Sequence, residues 1–271
     1  MQLFIGLILG TIIGYLAWRA RALSPSGAWA AAVTGGLVFG LGGLRWAVLL
    51  LAFFVTSSAL SRLFGWRKKA LEEKFSKGSR RDAAQVLANG GLAALLVTLQ
   101  AVQPELPVWW LAFAGALAAV NADTWATELG VLSPQAPRLI TNGRLVERGA
   151  SGGVSGLGYL AATAGSGLIA ALAAWLAPEN NQGYSPIFLG LIVCLAGLAG
   201  STLDSLLGAT LQAIYRCPAC QKETEHHPYH SCGAQTIQIR GWHWMNNDLV
   251  NWLAALMGAT TAALLGMILL A

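Results

Sequence analysis

Apolar and polar residues fall in long blocks along this chain, not in short alternation. Apolar runs of roughly 20 residues recur eight times. They lie at about 2–20, 27–44, 46–64, 83–102, 107–131, 153–177, 186–214 and 247–270. Each is long enough, at 1.5 Å per helical residue, to cross the hydrocarbon core of a bilayer. The pattern predicts an all-α fold, a polytopic transmembrane bundle of about eight helices, built as one integral membrane domain over residues 1–271. Internal Gly and Ser in several runs leave room for kinked or broken helices. Met1 to Trp18 lacks a basic leading segment and reads as a first span rather than a cleavable signal.

The polar blocks between the runs are unequal. Sixteen of the seventeen Lys and Arg fall in alternate connectors, after the first, third, fifth and seventh runs, and the opposite side holds only Arg45. By the positive-inside rule this places the N-terminus and the C-terminus outside, with cytoplasmic loops at about 65–82, 132–152 and 215–246. Composition agrees with the pattern. The chain is 55% hydrophobic and 11% charged, against about 25% charged in soluble domains, so a soluble globular protein is excluded. Thirty-two glycines suit close helix packing in lipid. A net charge of +5 favours anionic lipid and anionic substrates; no nucleic-acid partner is expected.

Acids interrupt the apolar runs, and an ionisable group at membrane depth is a functional-site hypothesis. Asp123 and Glu128 follow an uncharged run from Val108 to Val120, in Asn121-Ala122-Asp123-Thr124-Trp125-Ala126-Thr127-Glu128-Leu129-Gly130. Asp204 lies in the seventh run, on a face shared with Ser201, Ser205, Gly208 and Gln212; Asp248 starts the eighth. The loop topology puts all four acids at the end where the basic connectors lie. Carboxylates beside Arg forks suit Mg²⁺ shared with phosphates. Asp123, Asp204 and Asp248 are the candidate magnesium ligands, with Arg81 and Glu128 completing the candidate catalytic set.

Three further clusters converge on that end. Arg81, Gln85 and Asn89 recur every four residues at the start of the fourth run. They could make interhelical hydrogen bonds, or they could set Arg81 on a phosphate and Asn89 on metal or nucleotide. Between the fifth and sixth runs, Arg138, Thr141, Arg144 and Arg148 precede Gly152, Gly153 and Ser155. A Gly-rich turn entering a helix N-terminus exposes N–H groups to an anion. No Gly-x4-Gly-Lys-Ser/Thr sequence is present, so a P-loop NTPase is not indicated. Asn247, Asp248 and Asn251 open the eighth run, where Asp248 could equally be a first-turn acid.

Cysteine spacing adds a separate site. Cys217-Pro218-Ala219-Cys220, followed by His230 and Cys232, offers a Cys3His set for a tetrahedral, structural Zn²⁺, with His226 and His227 as competitors for the imidazole position. A loop of free thiols is the plainer alternative.

In combination, several strings resemble the transmembrane-protein-nineteen family, which includes the phytyl-phosphate kinases of plants and cyanobacteria. They are Gln85-Val86-Leu87-Ala88-Asn89-Gly90, Asp123 to Gly130, Pro137-Arg138-Leu139-Ile140-Thr141, Gly152-Gly153-Val154-Ser155, Asp204-Ser205-Leu206-Leu207-Gly208-Ala209 and Asn247-Asp248-Leu249-Val250-Asn251. The resemblance covers nearly the whole chain. Asp123-x-x-Ala126-x-x-x-Gly130 followed by Gly143-Arg144 and Gly149 is also distantly similar to dolichol kinases, in which Lys commonly stands where Arg144 does here. What the resemblance implies is CTP-dependent phosphorylation of a prenyl monophosphate, such as phytyl phosphate, to its diphosphate in tocopherol or quinone synthesis. Two alternatives use the same residues. A lipid-phosphate cytidylyltransferase would release pyrophosphate. An ion-coupled transporter would need polar access from both sides, but the outer loops carry only Glu105 and Glu179 as acids.

Overall fold

The computed structural model describes residues 1–68, 80–106, 108–178 and 185–269. Residues 69–79, the centre of the basic loop predicted at about 65–82, lie outside the described residues, as does Glu179. Eight α-helices follow in order. They are α1 (Gln2–Arg19), α2 (Pro25–Leu37, prolonged by a π-helical turn, Val38–Gly42), α3 (Leu44–Lys68), α4 (Ala83–Val102), α5 (Val108–Gly130), α6 (Gly156–Trp175), α7 (Pro186–Thr210) and α8 (Asn247–Leu269). Six of them (α1, Leu44–Phe64 within α3, α4, α6, α7 and α8) are long and apolar enough to cross a membrane by length and composition. The α2 helix reaches span length only with its π turn, and α5 carries acids at one end.

The α5 helix is the axis of the bundle. Every residue from Trp110 to Ala122 is buried, enclosed by α3, α4, α6, α7 and α8. A helix that is apolar all round has to be covered on every side. Alanines on α5 let the neighbours close in, and at Gly115 the α8 backbone at Gly258 occupies the space a Cβ would need. At one end Trp46 packs edge-on against Trp110 and Phe113, with ring centroids 5.1 and 4.6 Å away. Asn121, fully buried, ties three helices together. Its Nδ2 donates to the Gly165 carbonyl at 2.7 Å, and its Oδ1 accepts from Thr56 and Ser57 at 3.3 Å. The α1 helix touches the bundle through Gly6, Gly10, Gly14 and Ala17, its buried residues. Phe4, Ile8, Ile12 and Leu16 stay exposed, as lipid-facing side chains would.

The basic connectors gather at the opposite end, where α5 turns polar. The α1–α2 connector pairs with the entry to α4: Arg81 N donates to Ala22 O at 3.1 Å and Ser24 N to Arg81 O at 3.0 Å. Between α5 and α6, β1 (Arg138–Leu139) pairs antiparallel with β2 (Gly153–Val154). Between α7 and α8, β3 (Ile214–Arg216) lies between β4 (Glu223–Thr224) and β5 (Ile237–Arg240). These strands shift two predicted boundaries. The α6 helix starts at Gly156 because Gly153 and Val154 are taken up by strand pairing. The α7 helix stops at Thr210 because Arg240 caps the Gly208 and Ala209 carbonyls at 3.1 Å and the chain then turns into β3.

Candidate active site

At the polar end of α5 lies a cavity of about 340 Å³. It brings together eleven of the fifteen candidate catalytic and phosphate- or nucleotide-binding residues: Arg81, Asn89, Asp123, Glu128, Arg148, Gly152, Gly153, Ser155, Asp204, Asn247 and Asn251. Arg138, Thr141, Arg144 and Asp248 do not line it. The first three are exposed on the hairpin rim, where Arg138 Nη1 donates to Gly143 O at 2.9 Å. Asp248 sits in the first turn of α8, a position in which a carboxylate favours the helix dipole.

Asp123 from α5 and Asp204 from α7 face each other across the floor, within side-chain hydrogen-bonding reach. Asp204 Oδ2 is buried without a hydrogen-bond partner among the described residues. Two carboxylates this close repel unless a cation or a proton lies between them. Glu128, buried, accepts from Ser61 Oγ at 2.6 Å and faces Arg81. Ser61 also lines the cavity; it was not read from sequence, because a single Ser in an apolar run carries no pattern.

Arg81 stands just ahead of α4, held by its backbone bonds to the α1–α2 connector. Burial pulls its guanidinium below the ordinary value, and the Glu128 charge opposes that pull; it stays cationic. Its Cζ lies 5.6 Å from the Phe53 ring centroid. The Asp82 side chain accepts from Gln85 N at 2.9 Å and the Gln85 side chain accepts from Asp82 N at 3.0 Å, a capping box that fixes the start of α4. Asn89 Nδ2 donates to Gln85 O at 3.0 Å. The polar stripe seen in sequence is thus partly a helix-start device, with Arg81 and Asn89 turned to the cavity wall.

The Gly-rich turn sits where a phosphate site needs it. Ser155 caps α6 by accepting from Gly158 N at 3.1 Å, and Ser155, Gly158 and Tyr159 line the cavity, so the positive end of the α6 dipole opens into it. Gly152 has φ +80°, and a Cβ there would come within 2.5 Å of Ala209 N. Only glycine meets both conditions. Arg148 reaches the wall from the loop, donating Nη2 to Ser133 O at 2.8 Å.

Glu225 was missed from sequence, lost in a hydrophilic loop without periodicity. The fold carries it to the cavity. Gln212, 2% exposed, donates Nε2 to Glu225 Oε1 at 2.8 Å and accepts from Ser151 Oγ at 2.6 Å. The hub joins the Gly-rich turn, the end of α7 and the α7–α8 loop. The same loop holds Cys217, Cys220, His230 and Cys232, whose donor atoms all lie within 4.8 Å of one another. His230 Nδ1 is 3.2 Å from Cys232 Sγ and 3.7 Å from Cys220 Sγ, and Cys217 Sγ is 3.5 Å from Cys232 Sγ. Such separations are the edges of a tetrahedron whose corners stand about 2.0–2.3 Å from a central metal. Burial pushes the Cys217 thiol up, but the Cys220 N–H and the Cys232 thiol outweigh it and hold Cys217 below its ordinary value. Contact with Cys232, then burial, pushes Cys220 up to about 11. Three crowded thiols ionise together only around a cation.

The sequence has relatives among known proteins. Protein PGR of Arabidopsis thaliana is 31% identical over 282 residues, covering 94% of this chain and 93% of the relative. An uncharacterized membrane protein of Methanocaldococcus jannaschii is 29% identical over 214 residues, 78% of this chain and 84% of its own. Protein VTE6, chloroplastic, of Arabidopsis thaliana is 24% identical over 247 residues, 90% of this chain and 65% of its own. No solved structure matches the chain. The family model described as integral membrane protein DUF92 matches residues 8–259. With that match running from α1 into α8 and through every wall of the cavity, the chain belongs to the integral membrane protein family DUF92.

Proposed function

We propose that this protein is a phosphotransferase that moves the γ-phosphoryl group of CTP onto a prenyl monophosphate, phytyl phosphate being the acceptor implied by the sequence resemblance. The observation that carries the reading is one cavity, at one end of a membrane bundle, that joins the Asp123–Asp204 pair to Arg81 and the α6 N-terminus. An acceptor phosphate oxygen attacks Pγ. The bond from Pγ to the β–γ bridging oxygen breaks, and its electron pair leaves with CDP. The acceptor is already ionised near neutral pH, so positioning and charge stabilisation supply most of the rate. Arg81, Arg148 and the α6 N-terminus offset phosphate charge. Glu128, bonded to Ser61, holds Arg81 in place and is the candidate if a base takes part.

The donor set suits Mg²⁺: carboxylate oxygens, with Asp204 Oδ2 lacking a partner among the described residues. Bound there, the ion would offset phosphate charge. A Zn²⁺ on Cys217, Cys220, His230 and Cys232 would be structural, fixing the loop that brings Glu225 to the cavity. The positive-inside bias supports a cavity on the cytoplasmic face with both termini outside; a C-terminal reporter is expected to read outside, and a cytoplasmic reading overturns this topology. The enzymatic test is to incubate purified protein with phytyl monophosphate, Mg²⁺ and CTP, ATP, GTP or UTP in turn. CDP with phytyl diphosphate is expected. Pyrophosphate with a CDP-lipid would establish cytidylyl transfer instead.

A further inference from the structure

A second cavity, of about 230 Å³, lies among α1, α2, α3 and α4. Apart from Thr34, its walls are apolar until they reach Arg81, Gln85 and Asn89. Those same three side chains line the polar cavity. One short stripe on the entry to α4 therefore separates a chamber of aliphatic and aromatic carbon from a chamber of carboxylates and amides. A water-soluble substrate has no use for the first chamber. An amphiphile needs both.

Resting on the kinase reading, we infer that the α1–α4 chamber seats the apolar tail of the phosphorylated lipid acceptor, with Arg81 at the boundary gripping its anionic head. The charge arrangement fits that occupant. Arg81 packs against Phe53, which lines the apolar side, and faces Glu128, which lines the polar side. A monophosphate ester drawn to the guanidinium points its chain past Phe53 towards Leu50, Phe54 and Ile13 and presents its phosphate to the Asp123–Asp204 pair. The π-helical turn that prolongs α2 begins beside Phe39 of the chamber; such turns frequently mark functional sites. On the outer side stands α1, held to the bundle largely through its glycines, the helix past which a chain from the surrounding lipid would enter.

Gly35 gives a clean perturbation. It lines the chamber, and a Cβ built on it meets nothing within 4 Å. The first carbon of a leucine side chain therefore enters open space, and leucine favours the helix over glycine. The experiment uses the full-length purified chain and a geranylgeranyl monophosphate carrying a photoreactive diazirine on its tail, with no nucleotide added. Adducts are expected on α2 and α3 around Phe39, Leu50 and Phe54, suppressed by unlabelled phytyl monophosphate and not by free geranylgeraniol. Gly35→Leu should cut labelling and raise KM for a C20 acceptor on the order of tenfold, with KM for CTP unchanged. Adducts confined to α6–α8, equal suppression by the unphosphorylated alcohol, or undiminished labelling of a folded Gly35→Leu chain would overturn the inference. The wild-type adduct map needs no variant, so a Gly35→Leu chain that fails to fold leaves the test intact. Labelling at the chamber by a chain without kinase activity would fell only the kinase reading; an active kinase labelled elsewhere would fell only the tail seat.

Discussion

Asp123→Asn and Asp204→Asn probe the meeting of two carboxylates on the cavity floor. Each keeps size and hydrogen-bonding capacity and removes one negative charge. Two bare carboxylates about 4 Å apart would repel by roughly 4 kcal/mol at an effective dielectric of about 20, and a proton between them relieves most of that when no cation is bound. Part of that repulsion, on the order of 1 kcal/mol, should reappear as higher stability of either variant in the absence of divalent cation. Catalysis should move the other way. Losing an electrostatic group that acts in the transition state costs about 10²–10³ in turnover, or about 3–4 kcal/mol. With both carboxylates on one cation, as proposed, the double variant should lose little more than either single one. Thermal unfolding in detergent with and without Mg²⁺, beside steady-state turnover, reads all three effects. Mg²⁺ should raise the wild-type midpoint and leave the variants unmoved. Near wild-type turnover by Asp123→Asn at saturating Mg²⁺ and CTP, or equal Mg²⁺ stabilisation of both proteins, refutes the assignment. Asp248→Asn, outside the cavity wall, should leave turnover largely intact.

Arg81→Gln should raise KM for the anionic lipid on the order of tenfold or more, the size of a lost charge-assisted bond of about 1.5–3 kcal/mol, while KM for CTP changes less. Gln212→Ala should lower stability by about 1–3 kcal/mol, because it strips a partner from both Ser151 and Glu225; an unchanged unfolding midpoint would show the hub to be idle. Purified protein should carry about one zinc per chain by elemental analysis, released on acidification as the thiolates take up protons. Cys220→Ser should lose that zinc and stability together, and a zinc-free wild-type chain ends the idea.

Much of the bundle is legible in the sequence because lipid imposes one requirement, about 20 apolar residues per crossing, and runs of that length have few other uses. The predicted fifth run matches α5 to within a residue at each end. What escapes lies in the connectors, where strands of two to four residues leave no periodicity. The β1–β2 pairing moves the start of α6, and Arg138 and Arg144 stand exposed at that hairpin and outside the cavity lining, although their composition suggested a place with the phosphates. Asn121 reads as costly polarity at depth; its bonds to Thr56, Ser57 and Gly165 show it to be packing glue between helices. Glu225 is the reverse, an ordinary loop acid in sequence that the Cys3His loop and Gln212 bring to the cavity. The converging acids were visible because charge inside apolar runs is rare; Asp123 and Asp204 meet on the cavity floor, and Asp248 lies in the first turn of α8 beside the cavity-lining Asn247.

Position-specific labelling of the donor tests transfer of a terminal phosphoryl group to a membrane lipid phosphate. Purified protein, Mg²⁺ and phytyl monophosphate are incubated with CTP carrying radiophosphorus either at the γ position or at the α position, and the extracted lipid is counted and identified. Label is expected in phytyl diphosphate from γ-labelled CTP and none from α-labelled CTP. Label reaching the lipid from the α position, or from neither, contradicts it.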